Sequence, residues 1–114
     1  MGYTPITGSE FRIMWVMVMF DLPVKTKLDR RRYARFRKHL LSKGFFKLQY
    51  SVYARPFESQ EKSESIQQAI TLETPPSGFV RMLMVTDKQF GSMKNFMGKK
   101  AIEPEPPYRQ IMLF

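Results

Sequence analysis

The chain has 114 residues, 43% hydrophobic and 14% aromatic, which is enough for one core and too little for two domains of ordinary size. Its 19 Lys plus Arg against 10 Asp plus Glu give a formal charge of +9, favouring a phosphate-rich partner, with nucleic acid ahead of an anionic membrane. The longest apolar stretch, Ile13–Phe20, is eight residues, far short of the roughly 20 a membrane-crossing helix needs. A basic-then-apolar signal segment is missing, and the absence of cysteine excludes disulfides, thiolate zinc centres and a cysteine nucleophile. A cytoplasmic protein with no membrane partner is expected.

Residues 1–10 contain Gly2, Pro5 and Gly8 without periodicity and read as a flexible leader, leaving residues 11–114 as a single domain. Arg12–Phe20 is a continuous apolar run that fits a central strand buried on both faces. Pro23 stops it, so Asp21 falls at the strand's C-terminal tip. A helix is predicted from a Thr26 cap to about Lys43, with Gly44 ending it. Its apolar side collects Leu28, Tyr33, Phe36 and Leu40, its outer side cations. The alternation over Phe45–Arg55 predicts one further strand, with Phe46, Leu48, Tyr50 and Val52 on one face and Lys47, Gln49, Ser51 and Tyr53 on the other.

A second helix is predicted over Ser59–Thr71 and a strand over Gly78–Thr86, followed by a turn or one short helical turn at Asp87–Gly91 and a weak strand at Met93–Met97. Proline-containing Lys99–Pro107 reads as an extended connector, and the apolar end of the chain as a tail strand over residues 108–114. Helices alternating with strands in so short a chain predict an α+β sandwich of the ferredoxin-like kind, an antiparallel sheet with helices on one face. Ile111, Met112, Leu113 and Phe114 are expected to bury themselves against a sheet edge, in their own protomer or in a partner.

Nine of the basic residues lie between Lys25 and Lys43, where Asp29 is the only acid. That density suits a phosphate backbone, and Lys27, Arg30, Arg31, Arg35 and Lys38 are the candidate nucleic-acid contacts. Tyr33, Tyr50 and Tyr53 have the chemistry to stack on bases, although their spacing equally suits packing. Asp21 is the one carboxylate attached to an apolar strand. It reads either as a Mg²⁺ ligand or as a turn carboxylate capping backbone amides. One carboxylate makes a poor metal site, but a two-fold dimer would pair it with itself. Ser51 and Arg55 would approach a phosphate near Asp21 if these strand ends are neighbours. His39, the only histidine, reads as structural.

The run Met19-Phe20-Asp21-Leu22-Pro23, the Arg-rich helix and Gly44-Phe45-Phe46-Lys47-Leu48-Gln49-Tyr50-Ser51-Val52-Tyr53 together resemble the small CRISPR-associated adaptation proteins of the "Cas-two" family. Thr86-Asp87-Lys88-Gln89-Phe90 adds to the likeness, whereas the leader before Arg12 is longer than the family's usual start. The resemblance implies a ferredoxin-like β-α-β-β-α-β homodimer that joins the CRISPR integrase, binds DNA and serves spacer acquisition in antiviral defence. It further implies a Mg²⁺-dependent endonuclease acting on RNA or double-stranded DNA, with Asp21 as catalytic residue and metal ligand. Ile111–Phe114 resembles the tail that in this family meets the partner protomer or the integrase. Two alternatives stay open: a DNA-binding scaffold without catalysis, and a ferredoxin-like RNA-binding module.

Overall fold

A computed structural model describes residues 13–102. The leader and the tail strand expected over 108–114, with Ile111, Met112, Leu113 and Phe114, lie outside the described residues. The elements run β1 (Met14–Asp21), α1 (Lys27–Ser42), β2 (Phe46–Gln49), β3 (Val52–Phe57), α2 (Gln60–Leu72), β4 (Phe79–Thr86), α3 (Asp87–Gly91), β5 (Phe96–Met97) and β6 (Lys100–Ala101). Strands β1 to β4 form one antiparallel sheet in the order β2-β3-β1-β4, and β5 pairs with β6 in a separate two-stranded ribbon. This is the ferredoxin-like β-α-β-β-α-β order followed by short additions.

The two-residue alternation of a strand divides β1 between two cores. Val16, Val18 and Phe20 face Phe36 and Leu40 of α1, Ile70 of α2, and Tyr53 and Phe57 of β3. Trp15 and Met17 face the opposite way, with Phe46, Leu48, Ala54, Val85 and Phe90. The two long helices, α1 and α2, cover only the first of these faces. On the second, α3 brings Phe90 flat against Trp15, with ring centroids 3.9 Å apart.

Both helix boundaries of α1 follow from local chemistry. Thr26 Oγ1 accepts from the Asp29 N–H at 3.0 Å while the Asp29 carboxylate accepts from the Thr26 N–H at 3.2 Å, a reciprocal cap. Gly44, at φ 87, takes the left-handed conformation that closes the helix. Leu28 departs from its expected place: it is 47% exposed, because it lies at the margin of the stripe centred on Phe36 and Leu40.

The single strand expected over Phe45–Arg55 is a hairpin, β2 and β3, broken at Tyr50 and Ser51. Ser51 has φ 61, a left-handed conformation that reverses the chain. Phe46 and Leu48 keep the face the alternation gives them, but Tyr50 turns to the helix side and stacks on Tyr33. The weak strand at Met93–Met97 is confined to Phe96–Met97, and the expected connector contributes its partner, Lys100–Ala101.

Candidate functional site

Asp21 closes β1 and is exposed. By the strand's alternation it shares the face of Trp15, Met17 and Met19, the side that α1 and α2 leave uncovered and that α3 covers only at the Trp15 end. Two neighbours frame it. On one side its register partner in β4 is Phe79, preceded by Gly78 at φ 89. A Cβ on Gly78 would stand 2.6 Å from the Asp21 carbonyl oxygen, so β4 begins this close to β1 only because residue 78 is glycine. On the other side the Phe20 N–H donates to the Ser51 carbonyl at 3.0 Å, which locks the β2–β3 turn against the tip of β1. Tyr33 reaches the same turn from α1, its hydroxyl 2.9 Å from Ser51 Oγ.

Ser51 therefore adjoins the tip of β1 through its backbone, as its strand-end position allowed, with its hydroxyl turned to Tyr33 on the helix side, but Arg55 is not near Asp21. Arg55 pairs with Val16 further along the sheet, donates to the Lys43 carbonyl at 2.6 Å and lies over the Phe57 ring. It helps to close the C-terminus of α1. His39 likewise acts within the fold, its Nδ1 lying 3.9 Å from the Glu73 carboxylate at the end of α2.

The five helix candidates, Lys27, Arg30, Arg31, Arg35 and Lys38, are all exposed on α1. Lys27 and Lys38 are separated by about 16 Å along the axis at 1.5 Å per residue. None of the five makes an ion pair with a carboxylate among the described residues. Asp29, the one acid available on this helix, is spent on the N-terminal cap. Arg30 differs from the other four: one guanidinium nitrogen donates to the Val24 and Lys25 carbonyls at 3.1 and 2.9 Å and clips the β1–α1 loop.

The open face of the sheet is apolar and continuous with Asp21. Leu83 is 49% and Phe79 67% exposed there. Alternation along β4 places Arg81 on the same face, its guanidinium over the Phe79 ring at 5.9 Å. A patch of this character marks an interaction surface. Sequence reasoning did not single out Arg81, whose facing depends on which side of β4 the helices cover.

The tyrosines separate by environment. Tyr53 is buried, Tyr33 is half-buried between Phe20 and Tyr50, and Tyr50 is exposed. The neighbouring Tyr33 hydroxyl pushes the Tyr50 phenol above its ordinary range.

Among the described residues no three His, Cys, Asp or Glu side chains converge as a metal cage. Mg²⁺ binds through one or two carboxylates and completes its shell with water and substrate phosphate. The hard oxygen donor of Asp21 therefore suits the ion, and a second Asp21 would bring the number to two.

These elements define a ferredoxin-like α+β domain with one face closed by helices and the other, bearing Asp21, left open. The family model described as CRISPR associated protein Cas2 matches residues 14–93. The chain belongs to that family. A protein of Flavobacterium psychrophilum named CRISPR-associated endoribonuclease Cas2 is 40% identical over 106 residues, covering 93% of this chain and 92% of the relative. Relatives of the same name from Parvibaculum lavamentivorans and Lacticaseibacillus rhamnosus are each 46% identical. The first covers 89% of this chain and 100% of the relative, the second 75% and 84%.

Proposed function

We propose that the chain is a homodimeric, Mg²⁺-dependent endonuclease acting on RNA or double-stranded DNA, and that it works with the CRISPR integrase in spacer acquisition. The observation that carries this reading is the position of Asp21: exposed, at the tip of an apolar strand, on the sheet face that α1 and α2 leave uncovered. Two copies meeting through that face about a two-fold axis near Asp21 would bury the apolar patch and pair the two carboxylates. The name endoribonuclease carried by the relatives supports RNA as substrate. Ile111, Met112, Leu113 and Phe114 are assigned to the partner protomer or to the integrase, since an apolar terminal segment is stabilised by adding to a sheet edge.

When bound, Mg²⁺ activates water and stabilises the charge that builds on the phosphodiester. The protein's own part is to hold that ion with two Asp21 carboxylates and to exclude bulk water with the apolar faces around them. The cations of α1 bind the substrate backbone and set its register. Labelled single-stranded RNA and duplex DNA incubated with the protein in Mg²⁺ should be cut, and in EDTA left whole. Equal cutting in both would overturn metal dependence, and binding without cutting in either would overturn the nuclease.

A second reading, a DNA-binding scaffold without catalysis, is favoured by the cations of α1, which lack carboxylate partners among the described residues. Its signature is electrostatic. Affinity for duplex DNA should fall with salt at a log–log slope of about −0.9 for each phosphate neutralised. Replacing Arg35 and Lys38 together by glutamine should make that slope shallower by about 2. An unchanged slope in the double variant would remove this face of α1 from the interface.

A further inference from the structure

The tip of the β2–β3 hairpin carries an aromatic platform that neither the sheet nor the core requires. Tyr50 is 70% exposed, yet its ring is held in place. It stacks on Tyr33 with centroids 6.1 Å apart and planes 22° from parallel, and Tyr33 itself packs edge-on against Phe20 of β1. The Lys47 ammonium sits 5.7 Å from the centre of the Tyr50 ring. The backbone beneath is fixed as well: Ser51 stands at φ 61, held by the Phe20 N–H on its carbonyl and by Tyr33 on its hydroxyl. A non-glycine residue in that conformation persists where surrounding contacts over-determine it.

A large aromatic ring left open to water but fixed by a second ring, with a flexible cation lying over it, suits one partner above others: an unpaired nucleobase that takes the cation's place on the ring and leaves it to the neighbouring phosphate. Every base has a π-face, so such a platform selects for the absence of pairing and not for sequence. It lies at the same end of the sheet as Asp21, because the turn that carries Tyr50 is hydrogen-bonded to the residue preceding Asp21. We infer that Tyr50 is a stacking platform that binds an unpaired base of single-stranded RNA, with Lys47 moving off the ring to the adjoining phosphate. This binding does not depend on the nuclease reading, because Tyr50 stacks on the helix side of the sheet and Asp21 lies on the other face.

The test is chosen accordingly. Single-stranded RNA carrying 2-aminopurine is titrated with protein in EDTA, where no cutting is expected, and fluorescence quenching reports stacking. Wild type and Tyr50→Phe should quench the probe. Tyr50→Leu should not, and should bind roughly 5- to 150-fold more weakly, the range of one base–aromatic stack. Binding of duplex DNA should be unaffected by either variant. Equal quenching and affinity in Tyr50→Leu would overturn the proposal, as would an equal loss on duplex DNA. Retention of function by Tyr50→Phe, which keeps the ring, guards against loss of fold as the cause. If Asp21→Ala leaves cutting intact while Tyr50→Leu abolishes quenching, the assignment of Asp21 as the catalytic residue fails and the platform stands.

Discussion

Asp21→Ala should lower Mg²⁺-dependent cleavage by at least about 10²-fold, the scale set by removing one preorganised electrostatic group from a reaction centre. Binding of RNA or DNA should be nearly unchanged, since the cations of α1 are intact. Asp21→Asn, which preserves shape and loses charge, should fail to the same degree. The fold is expected to tolerate both changes, because Asp21 is exposed and accepts no side-chain hydrogen bond among the described residues. The dimer should respond in the opposite sense to activity. Without metal, two carboxylates facing each other across a two-fold axis repel, so the alanine variant should dissociate less readily than wild type in EDTA. Cleavage assays run beside sedimentation in EDTA decide this. Unchanged cutting in the variant would remove Asp21 from the chemistry, and unchanged dimerisation would place it away from the axis.

The largest expected loss of stability comes from Trp15→Ala. Trp15 is fully buried, stacks on Phe90, meets the Phe46 ring edge-on at 6.1 Å, and donates its indole N–H to Asp87 at 2.7 Å. Truncating a buried Trp costs about 3–5 kcal/mol. Loss of the indole hydrogen bond adds about 1 kcal/mol, since Asp87 is only half-buried and water can take the donor's place. Against a typical total of about 5–15 kcal/mol, this removes a large fraction of the stability and would leave a domain at the low end of that range substantially unfolded. Trp15→Phe retains a ring against Phe90 and isolates the hydrogen-bond contribution. Urea denaturation of the three proteins should rank them wild type, phenylalanine, alanine. A cost below about 1 kcal/mol for the alanine variant would show that the core beneath α3 contributes little.

How far the sequence was legible can be traced through individual residues. Thr26, Gly44 and Ser59 mark helix ends in the sequence and mark them in the structure, because capping and left-handed closure involve atoms only a few residues apart. The eight-residue apolar run predicts a strand buried on both faces, and β1 has a core on each side. The hairpin was not legible. Its turn uses Tyr50 and Ser51 in place of the glycine and asparagine that announce a reversal, and the alternation across the break is nearly uninterrupted. What holds Ser51 in its conformation is remote in sequence: Phe20 and Tyr33.

The same division applies to the site. By itself the sequence determined an apolar strand ending in a carboxylate, a helix loaded with unneutralised cations, and the family to which both belong. Each is a matter of local composition and short-range periodicity, which the chain carries before it folds. Only the tertiary structure decided that Arg55 points away from Asp21 while Ser51 adjoins it, that Arg81 joins the open face, and that Tyr50 is exposed while Tyr53 is buried. Those outcomes depend on which face of the sheet the helices cover and on the register between strands. A single residue's slip in register exchanges the two faces, and no local signal in the sequence reports it.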